Sequence, residues 1–222
     1  MNDPRRWTAV VIYAVAMALL ESAAVTYLRT LIGRVDPYQP NSLPAPAWLM
    51  RIEISREAAT LVMLGAVAWL AGRNWRARLG YFLVAFGAWD IFYYVFLAPM
   101  SGWPRSALDW DVLFLIPLPW WGPVLAPVCI AALMVVCGTL IAQFGKDEAA
   151  LWPGRVSWAL AAAGVTAALY VFMGDALHAP EWTAEALAKV LPIAFNWPLF
   201  AVALGLMSAP IVEMGWRLGI RR

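Results

Sequence analysis

Arg51-Ile-Glu-Ile-Ser-Arg-Glu57 stands directly before an uninterrupted apolar run, Ala58 to Ala71, that is 14 residues long. A membrane-spanning helix needs about 20 residues at about 1.5 Å of rise each. For this segment to cross, its first turns must come from the charged stretch, which carries Glu53, Arg56 and Glu57 into the outer part of the bilayer. On a helix Glu53 and Glu57 lie four residues apart and Glu53 and Arg56 three, so all share one face. Charges at that depth are costly and face protein or a water-filled cavity. A polar site is expected there.

Composition extends this reading to the whole chain. Of 222 residues, 63% are hydrophobic and 14% charged, with mean hydropathy +0.69; soluble domains carry about 25% charge. The chain reads as an all-α, polytopic transmembrane bundle, a single integral membrane domain over residues 1–222. Six spans are expected near 7–30, 52–72, 79–98, 120–143, 156–175 and 190–213. A net charge of +2 gives no reason to expect a nucleic-acid partner. Cys129 and Cys137 lie eight apart in one span, about 12 Å on a helix, too far for an intrahelical disulfide. The start, Arg5-Arg6 followed by apolar Trp7 to Leu20, has the outline of a secretory signal. Glu21 is out of place in such a signal and apolar character resumes through Leu28, so the segment is kept as the first span.

The links between spans set the orientation. Ten basic residues fall on one side: Arg5, Arg6, Arg73, Arg76, Arg78, Lys146, Arg155, Arg217, Arg221 and Arg222. Four fall on the other, Arg34, Arg51, Arg105 and Lys189. The positive-inside rule then places both termini in the cytoplasm, in a cell inner membrane of bacterial type. Most of the 14 tryptophans sit near span ends, as an aromatic belt does, and Trp89 alone lies well within a span. Residues 112–143 are 32 uncharged positions, too many for one untilted crossing. Pro117, Pro119 and Pro123 point to a proline-broken, half-inserted segment before span four. The sixth span holds Pro192, Asn196, Pro198 and Pro210, so it should kink, and Asn196 needs a partner. Thr183 to Leu191 has the pattern of a short surface helix, in a link with Asp175, His178, Glu181 and Glu185.

By depth, Glu21, Glu53, Glu57, Asp90 and Asp111 all fall in the outer half, on four spans, with Arg29 and Arg56 beside them. Acids outnumber arginines, so a carboxylate cluster for acid–base chemistry is the leading reading, with Glu21, Glu53, Glu57 and Asp90 as its catalytic candidates. Tyr93 and Tyr94 follow Asp90 by three and four residues and could orient it. Trp89, Trp120 and Trp121 could steady a developing positive charge, and Arg29, Arg56 and Asn196 complete the orienting or substrate-binding set. A membrane-soluble, isoprenoid-like or lipid substrate fits this composition, which suggests an isomerase, cyclase or hydrolase.

Oxygen-only ligands suit Mg²⁺, Mn²⁺ or Ca²⁺, and the Asp109-x-Asp111 pair is the candidate for such a metal. His178 is the only histidine, which excludes bis-histidine haem ligation within the chain, and no nucleotide motif is present. Two alternatives stand beside the enzyme: a proton- or cation-coupled small transporter, and a non-catalytic subunit or assembly factor of a membrane complex. Either a homo-oligomer or such a complex is compatible with the short links. Purely structural pairing of the acids with Arg29 and Arg56 is the bland reading of the same residues.

Overall fold

The computed structural model describes residues 4–39, 47–114, 118–144, 152–179 and 191–220. In chain order it contains α1 (Pro4–Leu31), α2 (Ala47–Ala71), α3 (Trp75–Ser101), β1 (Trp110–Phe114), β2 (Trp120–Pro123), α4 (Leu125–Phe144), α5 (Arg155–Leu177), α6 (Trp197–Met207) and α7 (Ala209–Ile220). Six helical segments are long and apolar enough to cross a membrane, with Trp197–Gly219 counted as one. The expected surface helix at 183–191, along with Lys146, Glu181, Glu185, Lys189, Arg221 and Arg222, lies wholly or almost wholly outside the described residues.

Local chemistry sets the helix ends. Asn74 caps α3, its Oδ1 accepting from the Ala77 N–H at 2.9 Å. The same helix stops at Gly102, whose φ of 73° is the left-handed conformation that closes a helix, with Gly102 N–H donating to Ala98 O. Pro210 has no N–H to continue α6, so the last crossing breaks at Ser208 and restarts as α7. That is the kink expected of the sixth span. Its start differs from expectation: the helix begins at Trp197 rather than 190, because Asn196 acts as its N-cap, accepting from Leu199 N–H at 3.1 Å.

The proline-broken stretch before span four takes a form the sequence did not specify. Residues 110–114 and 120–123 pair as the strands of an antiparallel hairpin, with Asp111 opposite Gly122 and Val112 opposite Trp121. Span four therefore begins at Leu125, not 120. Pro119 and Pro123 deny a helix its donors, while Trp110, Val112, Phe114, Trp120 and Trp121 are residues that favour strands. Backbone bonds from Val124 N–H to Asp109 O and from Leu125 N–H to Ala107 O tie the hairpin to its neighbours. Among the described residues the regular structure is all helical but for this ribbon.

Close helix approach depends on small residues, as expected where apolar surface alone does not drive association. A Cβ built on Gly80 of α3 would lie 2.9 Å from Gly138 O of α4, and one on Gly138 would meet Gly80 O. One turn pair further on, Gly87 faces Ala131 and Val135 in the same way. On the other side, a Cβ at Gly164 of α5 would come within 2.6 Å of Ala203 O of α6. α3 thus sits between α1, α2 and α4, with Val10, Ala14, Leu64, Val84 and Ala85 buried between them. A second core, with Ala126, Phe172, Phe200 and Ala203, joins α4, α5 and α6.

Candidate functional site

Arg56 gathers the first polar group. Its Nε and Nη2 donate to Glu53 Oε2 at 3.0 and 2.8 Å, three residues back on α2. Its Nη1 forms an ion pair with Glu21 on α1. The buried Thr60 hydroxyl, one turn further along α2, donates to Glu21 Oε2 at 3.2 Å. One guanidinium therefore joins α2 to α1 through Glu21 while also holding Glu53 on its own helix, a use of several donors at once that arginine suits.

Arg29 gathers the second. Its Nη2 donates to Asp111 Oδ1 at 3.1 Å, and its guanidinium carbon lies 4.3 Å from the Trp103 ring centroid. Tyr94 OH donates to Asp111 Oδ2 at 3.0 Å, and Val112 N–H donates to Oδ1 at 2.9 Å. Asp111 is 2% exposed, so its carboxylate spends its lone pairs inside the protein. Burial pushes the Asp111 carboxyl above its ordinary range, and Arg29 and the Tyr94 hydroxyl pull it back. This pair also anchors the hairpin to α1 and α3.

Tyr93 stands between the two groups. Its hydroxyl lies within electrostatic reach of Arg29, Arg56, Asp90 and Asp111. Its ring packs 4.9 Å from Tyr94 and 6.4 Å from Trp89, centroid to centroid. Ser22 Oγ lies 2.8 Å from both Ala18 O and Tyr93 O, and its one proton serves them alternately. Further down α3 the aromatic series continues from Trp89 to Phe86 and Phe82, at 5.4 and 6.0 Å. These rings are half-buried.

Two carboxylates remain. Among the described residues neither Glu57 nor Asp90 has an ion-pair or hydrogen-bond partner, and both are half-buried. The indole N–H of Trp89 is buried with no acceptor among the described residues. The expectation of one carboxylate cluster is thus corrected. Arg29 and Arg56 sit on different helices, and each draws its own acids into a separate network.

The other sequence candidates are dispersed. Asp109 Oδ2 accepts from the N–H groups of Arg105 and Ser106 at 2.7 and 3.2 Å, capping a turn while Asp111 faces Arg29. The two aspartates therefore serve different partners, and no three of His, Cys, Asp and Glu among the described residues form a metal-ligating group. Trp120 packs towards Phe172 and Phe200, and Trp121 meets the Tyr38 ring edge-on at 6.2 Å. Asn196 caps α6 and is exposed. Thr60, Ser22 and Trp103 escaped sequence reasoning. Thr60 lay four residues beyond Arg56 on the same helical face, a signal open to use, whereas Trp103 is placed by the turn after α3.

The length and apolarity of its helices make this chain a multi-pass helical membrane protein. Searches against protein-family models, curated proteins and solved structures find no match.

Proposed function

We propose that this protein carries out acid–base chemistry on a membrane-soluble, isoprenoid-like or lipid substrate, with Glu57 and Asp90 as the proton-exchanging groups. One observation carries the reading. Glu21, Glu53 and Asp111 hold arginines directly, whereas Glu57 and Asp90 have no hydrogen-bond or ion-pair partner among the described residues, and Arg56 acts on Glu57 only as a nearby charge. A carboxyl with no fixed counter-ion is free to take up and release a proton. The half-buried series Phe86, Trp89 and Tyr93 beside Asp90 offers π faces to an apolar substrate in which positive charge develops. Tyr93 would orient the substrate, and Arg29 and Arg56 would fix the field around it. The basic-residue asymmetry supports a site in the outer half of a cytoplasmic membrane.

Coupled transport is less well supported. The core that α1, α2 and α3 share is apolar, with Val10, Ala14, Met17, Leu64, Ala68 and Val84. Glu213 itself is held by Gly154 N–H, Ser157 and Arg217. A subunit or assembly role draws support from the three paired acids, and the two unpaired ones speak against it.

Proton transfer to and from carbon leaves an isotopic trace that can be read before the substrate is identified. Membranes containing the protein, incubated in D₂O, should show deuterium entering a lipid species by mass spectrometry. Glu57→Gln and Asp90→Asn should lower that incorporation by about 100-fold or more, with folded protein recovered at wild-type yield. Wild-type incorporation no greater than in membranes without the protein would overturn the proposal.

A further inference from the structure

At the opposite end of the bundle, four arginines with different surroundings lie close to tryptophans or helix ends. Arg78 has a backbone acceptor: its Nε donates to Gly72 O at 3.2 Å, and its guanidinium lies 3.4 Å from the Trp69 ring centroid. Arg6 Nη1 donates to Ala71 O, and Arg217 is held by Glu213 and Trp152 O. Arg76 differs. Its guanidinium sits 5.5 Å from the Trp75 ring and 5.1 Å from the Trp152 ring, and these indoles meet at 69° with centroids 4.8 Å apart. Among the described residues it has no carboxylate, carbonyl or hydroxyl partner, and its Nε is buried without an acceptor.

The two indoles flank the guanidinium as cation–π partners without using any of its donors. A planar, pre-oriented fork with no acceptor is the geometry that takes an oxyanion by paired N–H bonds. The one described carboxylate nearby, Glu213, is already committed to Arg217, Ser157 and Gly154. Trp69 and Trp75 are 62% and 60% exposed at helix ends, the position of rings that settle at the headgroup level of a bilayer. Phosphate groups are concentrated there.

We propose that Arg76, in the corner formed by Trp75 and Trp152, is a binding site for a phosphate oxyanion, carried by an anionic phospholipid headgroup or free in solution. This site is separate from the acidic one and does not depend on its chemistry.

Native mass spectrometry of the protein released from nanodiscs tests it. From a mixture of phosphatidylglycerol and phosphatidylcholine, the wild type should retain one phosphatidylglycerol. Arg76→Lys keeps the charge and loses the planar fork, and should reduce retention about tenfold. The exposed Arg73, changed to Lys, should leave it unchanged. Trp152→Leu, which removes one wall of the corner, serves as the second variant and should lower retention with Arg76 intact. Calorimetric titration of inorganic phosphate into the protein in phosphatidylcholine nanodiscs separates the sources. Heat of binding that Arg76→Lys abolishes, without lipid selectivity, assigns the site to free phosphate. Equal losses from Arg73→Lys and Arg76→Lys would reduce it to general surface charge and overturn the proposal. So would wild-type behaviour of Arg76→Lys in both measurements.

Discussion

Arg56 shows how a charge is tolerated at depth. It is balanced by Glu21 across the helix interface and by Glu53 along its own helix, with Thr60 supplying a further donor to Glu21. Removing it strands two carboxylates at once. Arg56→Met should therefore cost about 3–5 kcal/mol, read as a lower melting temperature of the detergent-purified protein. Adding Glu21→Gln to that variant should recover part of the loss. A variant that melts with the wild type would mean that Arg56 is not holding α2 in place. The Glu53–Arg56 contact was legible in the sequence, since a three-residue spacing dictates it. That Glu21 goes to Arg56 and Asp111 to Arg29 was not. Such a choice depends on the rotation of each helix about its axis, which local periodicity constrains only loosely.

At the scale of elements, the glycines separate into those that hold helices together and those that do not. Gly138 lies against Gly80 O and Val84 N of α3, so a larger residue must push the two helices apart. Gly138→Val should destabilise by about 1–3 kcal/mol or more. Gly65 has nothing within 4 Å of its Cβ position. Gly65→Ala should be neutral or stabilising by about 0.5–1 kcal/mol, so the two melting curves together test the crossing. The helices were legible from apolar length, to within a few residues at most ends. The hairpin was not, because a run such as Val112-Leu-Phe-Leu-Ile116 suits helix or strand equally and only its prolines argue against helix. The start of the last crossing was missed for a related reason: Asn196, near the outer boundary of the expected span, is the N-cap of a helix that begins only at Trp197.

For the molecule as a whole, six crossing-length helices make a membrane protein, and the distribution of basic residues supplies a direction. Arg73 and Arg105 are both exposed, in links assigned to opposite sides. In a background with Cys129 and Cys137 replaced by Ala, Arg105→Cys should react with a membrane-impermeant maleimide on intact cells. Arg73→Cys should react only after permeabilisation. The reverse pattern would invert the bundle and place the acidic residues towards the cytoplasm. The division of the acidic residues into two arginine-centred groups was not legible from span register, because it depends on packing between α1, α2, α3 and the hairpin.

The bond between Arg29 and Asp111 also has a history in time. The two residues are 82 positions apart, so at about 5–20 residues per second the ribosome delivers the aspartate about 4–16 s after the arginine. Throughout that interval α1 holds a cation whose final counter-ion has not been made. The first helix must therefore wait in a borrowed setting, with Arg29 reaching towards water, headgroups or the insertion machinery. Its own ion pair closes only when the hairpin arrives.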